Sequence, residues 1–277
     1  MNNTMDRFDW IEVKDDFETP PLVDTINEPD FHPFKVARKM RASGHFRAAV
    51  AHYKIAITQD ASNYKAWREI IDTLVRARQL EHAQDIAAKA KALYPDVARL
   101  FPSQALVLLH TNRLEQAKQE LERGYALGDR SWYLSCVRAE IILADNIGYS
   151  KEALESLEKA TLAAKSPWEA FFIGGWILLE ADQPTWAAGY LAEAGHRNPT
   201  APIIWLCLGD CFKDLRLFDQ AMFYYEKALE LEPLHHLALK RQRSCTPKLY
   251  GLLRIFRKES LRKQWNDAFN KTQNMEQ

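Results

Sequence analysis

The sequence predicts an all-α chain, a solenoid of stacked helix pairs, and three observations predict it. Small residues recur in step: Ala49, Ala83, Ala117, Ala153, Ala187 and Ala221 lie 34 apart with one step of 36. A second ladder (Ala56, Ala90, Gly124, Ala160, Ala194, Ala228) follows seven positions later. A fixed period of this size is the signature of repeat architectures. Within one period, as in Pro202 to His235, Trp205, Leu208, Phe212 and then Phe218, Ala221, Tyr225 and Ala228 fall at three- and four-residue steps. That spacing lines one helical face. Finally, 47% of the 277 residues are apolar and only ten are glycine, as a packed helical chain requires. Helix pairs this short have no core of their own and must stack on copies of themselves.

The elements follow in order. Residues 1–29 hold no lasting period, and Pro20-Pro21 forbids a helix there. They read as a disordered acidic leader or as a short docking motif built on Trp10 and Ile11. Six units follow at 30–63, 64–97, 98–131, 132–167, 168–201 and 202–235. Trp67, Phe101, Phe171 and Trp205 open units, and Pro95, Pro199 and Pro233 close them, because proline cannot continue a helix. Turns are expected at Ser43-Gly44-His45, Ala77-Arg78-Gln79 and Thr111-Asn112-Arg113. Ser131 before Trp132 and Ser166 before Pro167 suit helix starts. After unit six, residues 235–243 read as a short solvating helix. Thr246-Pro247 then opens a basic amphipathic helix to about Phe269, which would cap the last repeat or lie on an anionic membrane.

These ladders and helix pairs, over about residues 30–235, resemble the tetratricopeptide repeat family. The resemblance implies a right-handed superhelix whose concave groove holds a partner protein, and it implies no reaction. Departures are visible. Pro33 stands where the family favours Trp, Gln104-Ala105 replaces its Leu-Gly pair, and unit four has two extra residues near Asp145-Asn146-Ile147-Gly148. Unit four is therefore expected slightly out of superhelical register. The family's clamp for C-terminal carboxylates uses Lys and Asn; here Phe34 and Arg38 stand in those places, so that clamp is not carried over.

Composition narrows the function classes. Formal net charge is zero, so no global field favours nucleic acid or membrane. The acids and bases are nonetheless segregated. Residues 1–31 hold nine acids against Arg7 and Lys14, whereas 236–277 hold ten bases against three acids. Opposed charged ends mark interaction segments. The acidic N-terminus lacks an apolar run, so no secretory signal is expected. The four cysteines form no disulfide framework, and a cytoplasmic location is expected.

No chemistry of catalysis stands out. Cys207 and Cys211 share a helix face but match no zinc spacing, and read as small buried residues. Gly174-Gly175 lies within a helix and serves close packing rather than a phosphate. No catalytic residue, metal or cofactor is expected. By the helical step, the groove would be lined by Lys35, Arg38 and Arg41 in unit one and by Lys65, Arg68, Asp72 and Arg76 in unit two. Arg99 and His110 follow, then Phe172, Trp176 and Leu179, then Asp210 and Lys213. These are ordinary solvated helix faces or a site. Clustered arginine binds carboxylates in paired hydrogen bonds, and tryptophan is a common anchor. The expected function is a protein-interaction adaptor or scaffold, chaperone-like, holding an acidic, aromatic-bearing polypeptide. Lys35, Arg38, Arg41, Lys65, Arg68, Arg76, Arg99, Phe172, Trp176 and Leu179 are the contact residues. Residues 1–29 fit the same description and would mask the groove. The alternatives are an assembly factor using its basic last helix on a membrane, or a regulator touching nucleic acid. Self-stacking would give a homo-oligomer.

Overall fold

The computed structural model describes residues 32–145 and 150–245. The acidic leader, the unit-four turn and the predicted last helix lie outside the described residues. The described chain is helical and falls into antiparallel pairs. These are α1 (Pro33–Ala42) with α2 (Phe46–Gln59), α3 (Tyr64–Arg76) with α4 (Leu80–Leu93), and α5 (Phe101–His110) with α6 (Leu114–Ala126). Then come α7 (Trp132–Asp145) with α8 (Lys151–Ala163), α9 (Pro167–Glu180) with α10 (Pro184–Arg197), and α11 (Pro202–Asp214) with α12 (Phe218–Leu231). The last described helix, α13 (His236–Cys245), packs on α12.

The small-residue ladders are contact points. All six members of the first ladder are buried without exposed surface. Glycine marks the closest approaches. A Cβ added at Gly209 would stand 2.3 Å from the Tyr225 ring, and one at Gly175 would stand 2.6 Å from Leu191. Gly174-Gly175 thus admits α10, as its place within a helix suggested.

Each described turn between paired helices is closed the same way. At Gly44, Arg78, Asn112, Asp182 and Arg216 the backbone enters the left-handed region. Two amides then reach back to orphan carbonyls: Gly44 N–H to Arg41 and His45 N–H to Met40, repeated as Arg216 to Lys213 and Leu217 to Phe212. This left-handed stop satisfies a helix end whatever the side chain, although glycine fits it best.

The layers differ in burial. Even-numbered helices bury one stripe; α4 buries only Ala83, Ala87 and Ala90. Among the odd-numbered helices, α3, α9 and α11 are buried nearly all round, α3 from Ala66 through Arg76, whereas α1 buries only Pro33, Ala37 and Arg41. In an open superhelix the inner helices would show one face to a groove. Here that face meets chain from the far end of the array. Phe46 of α2 packs edge-on against Trp176 of α9, ring centroids 6.1 Å apart. α1 touches α11, and the His235 imidazole donates to the Ser43 carbonyl at 2.6 Å. The stack closes upon itself. Nor is α13 merely solvating: it buries Leu237, Ala238, Arg241 and Cys245, with Arg241 reaching Asp210 at 3.1 Å.

Candidate functional site

The expected groove residues separate into two groups. Phe172, Trp176 and Leu179 are core, Trp176 being 1% exposed. Arg41, Arg68 and Arg76 are buried as well. These six side chains do not face an open groove in this structure. Their physical reason is closure: carboxylates on distant helices meet the arginines, and α2 covers Trp176. Lys35, Lys65 and Arg99 are exposed, and Arg38 is partly so.

The buried arginines form the centre of a charge network. The Arg76 guanidinium donates to Glu140 through Nη1 at 2.8 Å and Nη2 at 2.6 Å, and to Glu180 at 2.8 Å. Arg41 donates to Asp72 at 3.2 Å, and Asp72 also accepts from Tyr133 at 3.1 Å. Glu69 accepts from Arg68 at 2.9 Å and Tyr53 at 2.8 Å. Arg38 pairs with Glu69 and, across the closure, with Glu169. Burial resists ionisation of Glu140, but Arg76 and His110 outweigh it and hold the carboxyl down at about 2. Burial likewise opposes the charge on Glu69, and Arg41, Arg68 and Arg38 keep its value below the ordinary one. Charges removed from water need partners of this quality.

His110, Glu140 and Glu180 bring three potential ligand atoms within 4.8 Å of one another. Sequence reading singled out His110 but neither carboxylate. The charge these carboxylates gather is supplied by Arg76, whose guanidinium bonds both. The arrangement therefore does structural work: a protein cation joins α3 to α7 and α9. Asp210, expected to face the groove, is also spoken for, accepting from Tyr225 at 2.7 Å and pairing with Arg241.

Two surfaces stand open among the described residues. At the start of α1 and α3, Arg38 and Lys65 both stand over the Phe34 ring, at 5.9 and 5.8 Å from its centroid. Burial and then Arg38 push the Lys65 ammonium below its ordinary value. This is a basic mouth with an aromatic floor. The second is a cleft of about 400 Å³ between α2 and α4, floored by Trp67 and Leu74 of α3. Sequence reading missed the cleft, because its lining comes from three helices and includes ladder neighbours that read as core.

Residues 204–233 match the tetratricopeptide repeat family model. No curated protein matches the chain by sequence. Similar solved structures include a tetratricopeptide repeat protein from Parabacteroides merdae, 11% identical, covering 76% of this chain and 83% of that one, with a TM-score of 0.48. TTC0263, a thermophilic tetratricopeptide repeat protein of Thermus thermophilus, is 18% identical over 77% of this chain and 96% of that one, TM-score 0.45. YrrB, described as such a protein with an unusual peptide-binding site, is 20% identical over 69% of this chain and 97% of that one, TM-score 0.41. The sixth helix pair thus matches the tetratricopeptide repeat model, and the same kind of helix pair recurs through the described residues as an all-α solenoid.

Proposed function

We propose that this protein is a non-enzymatic adaptor that grips an acidic stretch of a partner polypeptide at the basic mouth around Phe34. Tetratricopeptide repeats are generally scaffolds for protein–protein interaction and are typically without catalytic activity. The observation that carries the acidic preference is crowding. Arg38, Arg41, Lys65 and Arg68 crowd around Glu69, Asp72 and Glu169, four cations to three carboxylates. A further carboxylate relieves their mutual repulsion, and Arg38 and Lys65 keep enough access to receive it. Lys35, exposed on α1, extends the charge, and Phe34 offers a ring for an aromatic residue of the ligand. Of the ten expected contact residues, this reading keeps Lys35, Arg38 and Lys65 as the gripping set.

The test is fluorescence anisotropy of a labelled peptide alternating Asp and Glu around one Trp, titrated with the intact chain. Lys35→Glu with Lys65→Glu should weaken binding at least tenfold, and the wild-type response should fall steeply with salt. A flat salt response, or unchanged affinity in the variant, refutes the reading.

A further inference from the structure

The cleft between α2 and α4 joins an apolar floor to a charged rim. Its floor is apolar, with Trp67 and Leu74 nearly buried and Ile57 and Ile86 on the walls. Its rim carries two ammonium groups, Lys54 on α2 and Lys89 on α4. Burial first, and the Lys89 charge second, lower the value of Lys54. Asp85 and His82 lie on the same rim, so the charge is basic but not uniformly so. An apolar floor between two ammonium groups suits a large apolar group flanked by carboxylates.

The chain contains such a segment. Trp10 lies between Asp9 and Glu12, within a stretch of nine acids and two bases that precedes α1. We propose that the cleft is a docking site for the chain's own N-terminal segment, with Trp10 seated on the apolar floor and Asp9 and Glu12 facing Lys54 and Lys89. The point of departure favours it. α1 and α2 are antiparallel, so the start of α1 lies beside the end of α2 that forms the cleft wall; Phe34 and Tyr53 rings are 6.0 Å apart. The 22 residues from Trp10 to His32 reach roughly 70 Å when extended, at about 3.3 Å each. A helix is only about 10 Å across, so the segment reaches the cleft with length to spare. Tethering makes the association intramolecular, with an effective concentration on the order of millimolar, so a modest contact is enough to hold it. The inner face offers no competing berth, since Arg76, Trp176 and their neighbours already fill it. This site is separate from the basic mouth, and each stands or falls alone.

The experiment places a benzophenone side chain at position 10 of the full-length protein, irradiates it, and maps the crosslinked peptides by mass spectrometry. The expected result is crosslinking within one chain to residues 54–58 and 82–89. Lys54→Glu with Lys89→Glu should reduce that yield at least fivefold while leaving the thermal unfolding midpoint unchanged. Crosslinks to the Phe34 mouth, crosslinks between two chains, or no localised crosslink would each overturn the proposal. So would an undiminished yield after charge reversal.

Discussion

Helix α3 has two faces, and they have opposite fates. Arg68, Asp72 and Arg76 look inward and are fully engaged by α1, α7 and α9. Trp67 and Leu74 look outward and floor a cleft. Charge density would have marked the inner face as the binding surface and the apolar stripe as core. The structure reverses the emphasis. A row of arginines signals a site only when the fold leaves it without internal partners, and here carboxylates from other units meet it. What remains for a ligand lies at the edges of that network and on the outer layer.

The comparison can be broken most severely at Arg76. Arg76→Met takes away the cation that Glu140 and Glu180 share, leaving Glu140 to His110 and Glu180 to Arg78, and should cost about 3 kcal/mol, read from urea unfolding. Lys89→Glu on the outer cleft should change stability by less than about 0.5 kcal/mol. Acid should act in the same direction as Arg76→Met. The Glu140 carboxyl is held at about 2 against an ordinary 4.5. A depressed carboxylate stabilises the fold above its unfolded value, so stability should drain as pH falls from about 4.5 toward 2. His235 adds to this at milder pH. Burial lowers its value below 6.5, and its ring is neutral, donating to Ser43 and accepting from the Ala238 amide at 3.4 Å. Protonation removes that acceptor, so the seam should begin to loosen as pH drops below 6.5. Thermal melts across pH 7 to 2 check both.

Smaller effects sharpen the contrast between packed and open positions. Gly209→Ala drives a methyl into the Tyr225 ring and should cost about 1–3 kcal/mol. Gly189→Ala, on α10 with nothing within 4 Å of the new methyl, should gain about 0.5–1 kcal/mol. Arg216, exposed and at φ 62°, should tolerate Arg216→Gly with a gain of up to about 1 kcal/mol. Differential scanning calorimetry resolves all three.

The all-α solenoid was legible because its cause is local. Two helices cannot approach at Ala83 or Gly209 unless the side chain there is small, so the period prints itself on the sequence. The third ladder, at Gly44, Arg78, Asn112, Asp182 and Arg216, was harder to see, since only Gly44 carries the residue its backbone prefers. Closure was not legible. It results from small rotations accumulated over successive units, and it pairs residues as far apart as Ser43 and His235, 192 positions. Glu140, Glu169 and Glu180 gave a signal: acids at inward positions of α7 and α9, opposite the basic stripe of α1 and α3. The expected contact residues differ in burial. Lys35, Lys65 and Arg99 are exposed and Arg38 partly so, while Arg41, Arg68, Arg76, Phe172, Trp176 and Leu179 are enclosed.

Self-closure is most directly tested by a double-mutant cycle between Phe46 and Trp176, which lie in different units and touch only if the stack closes. Phe46→Leu, Trp176→Leu and the double variant would be compared by urea unfolding. Closure predicts a coupling of about 0.5–1.5 kcal/mol between the rings. Strict additivity of the two substitutions would contradict it and return Trp176 to an open groove.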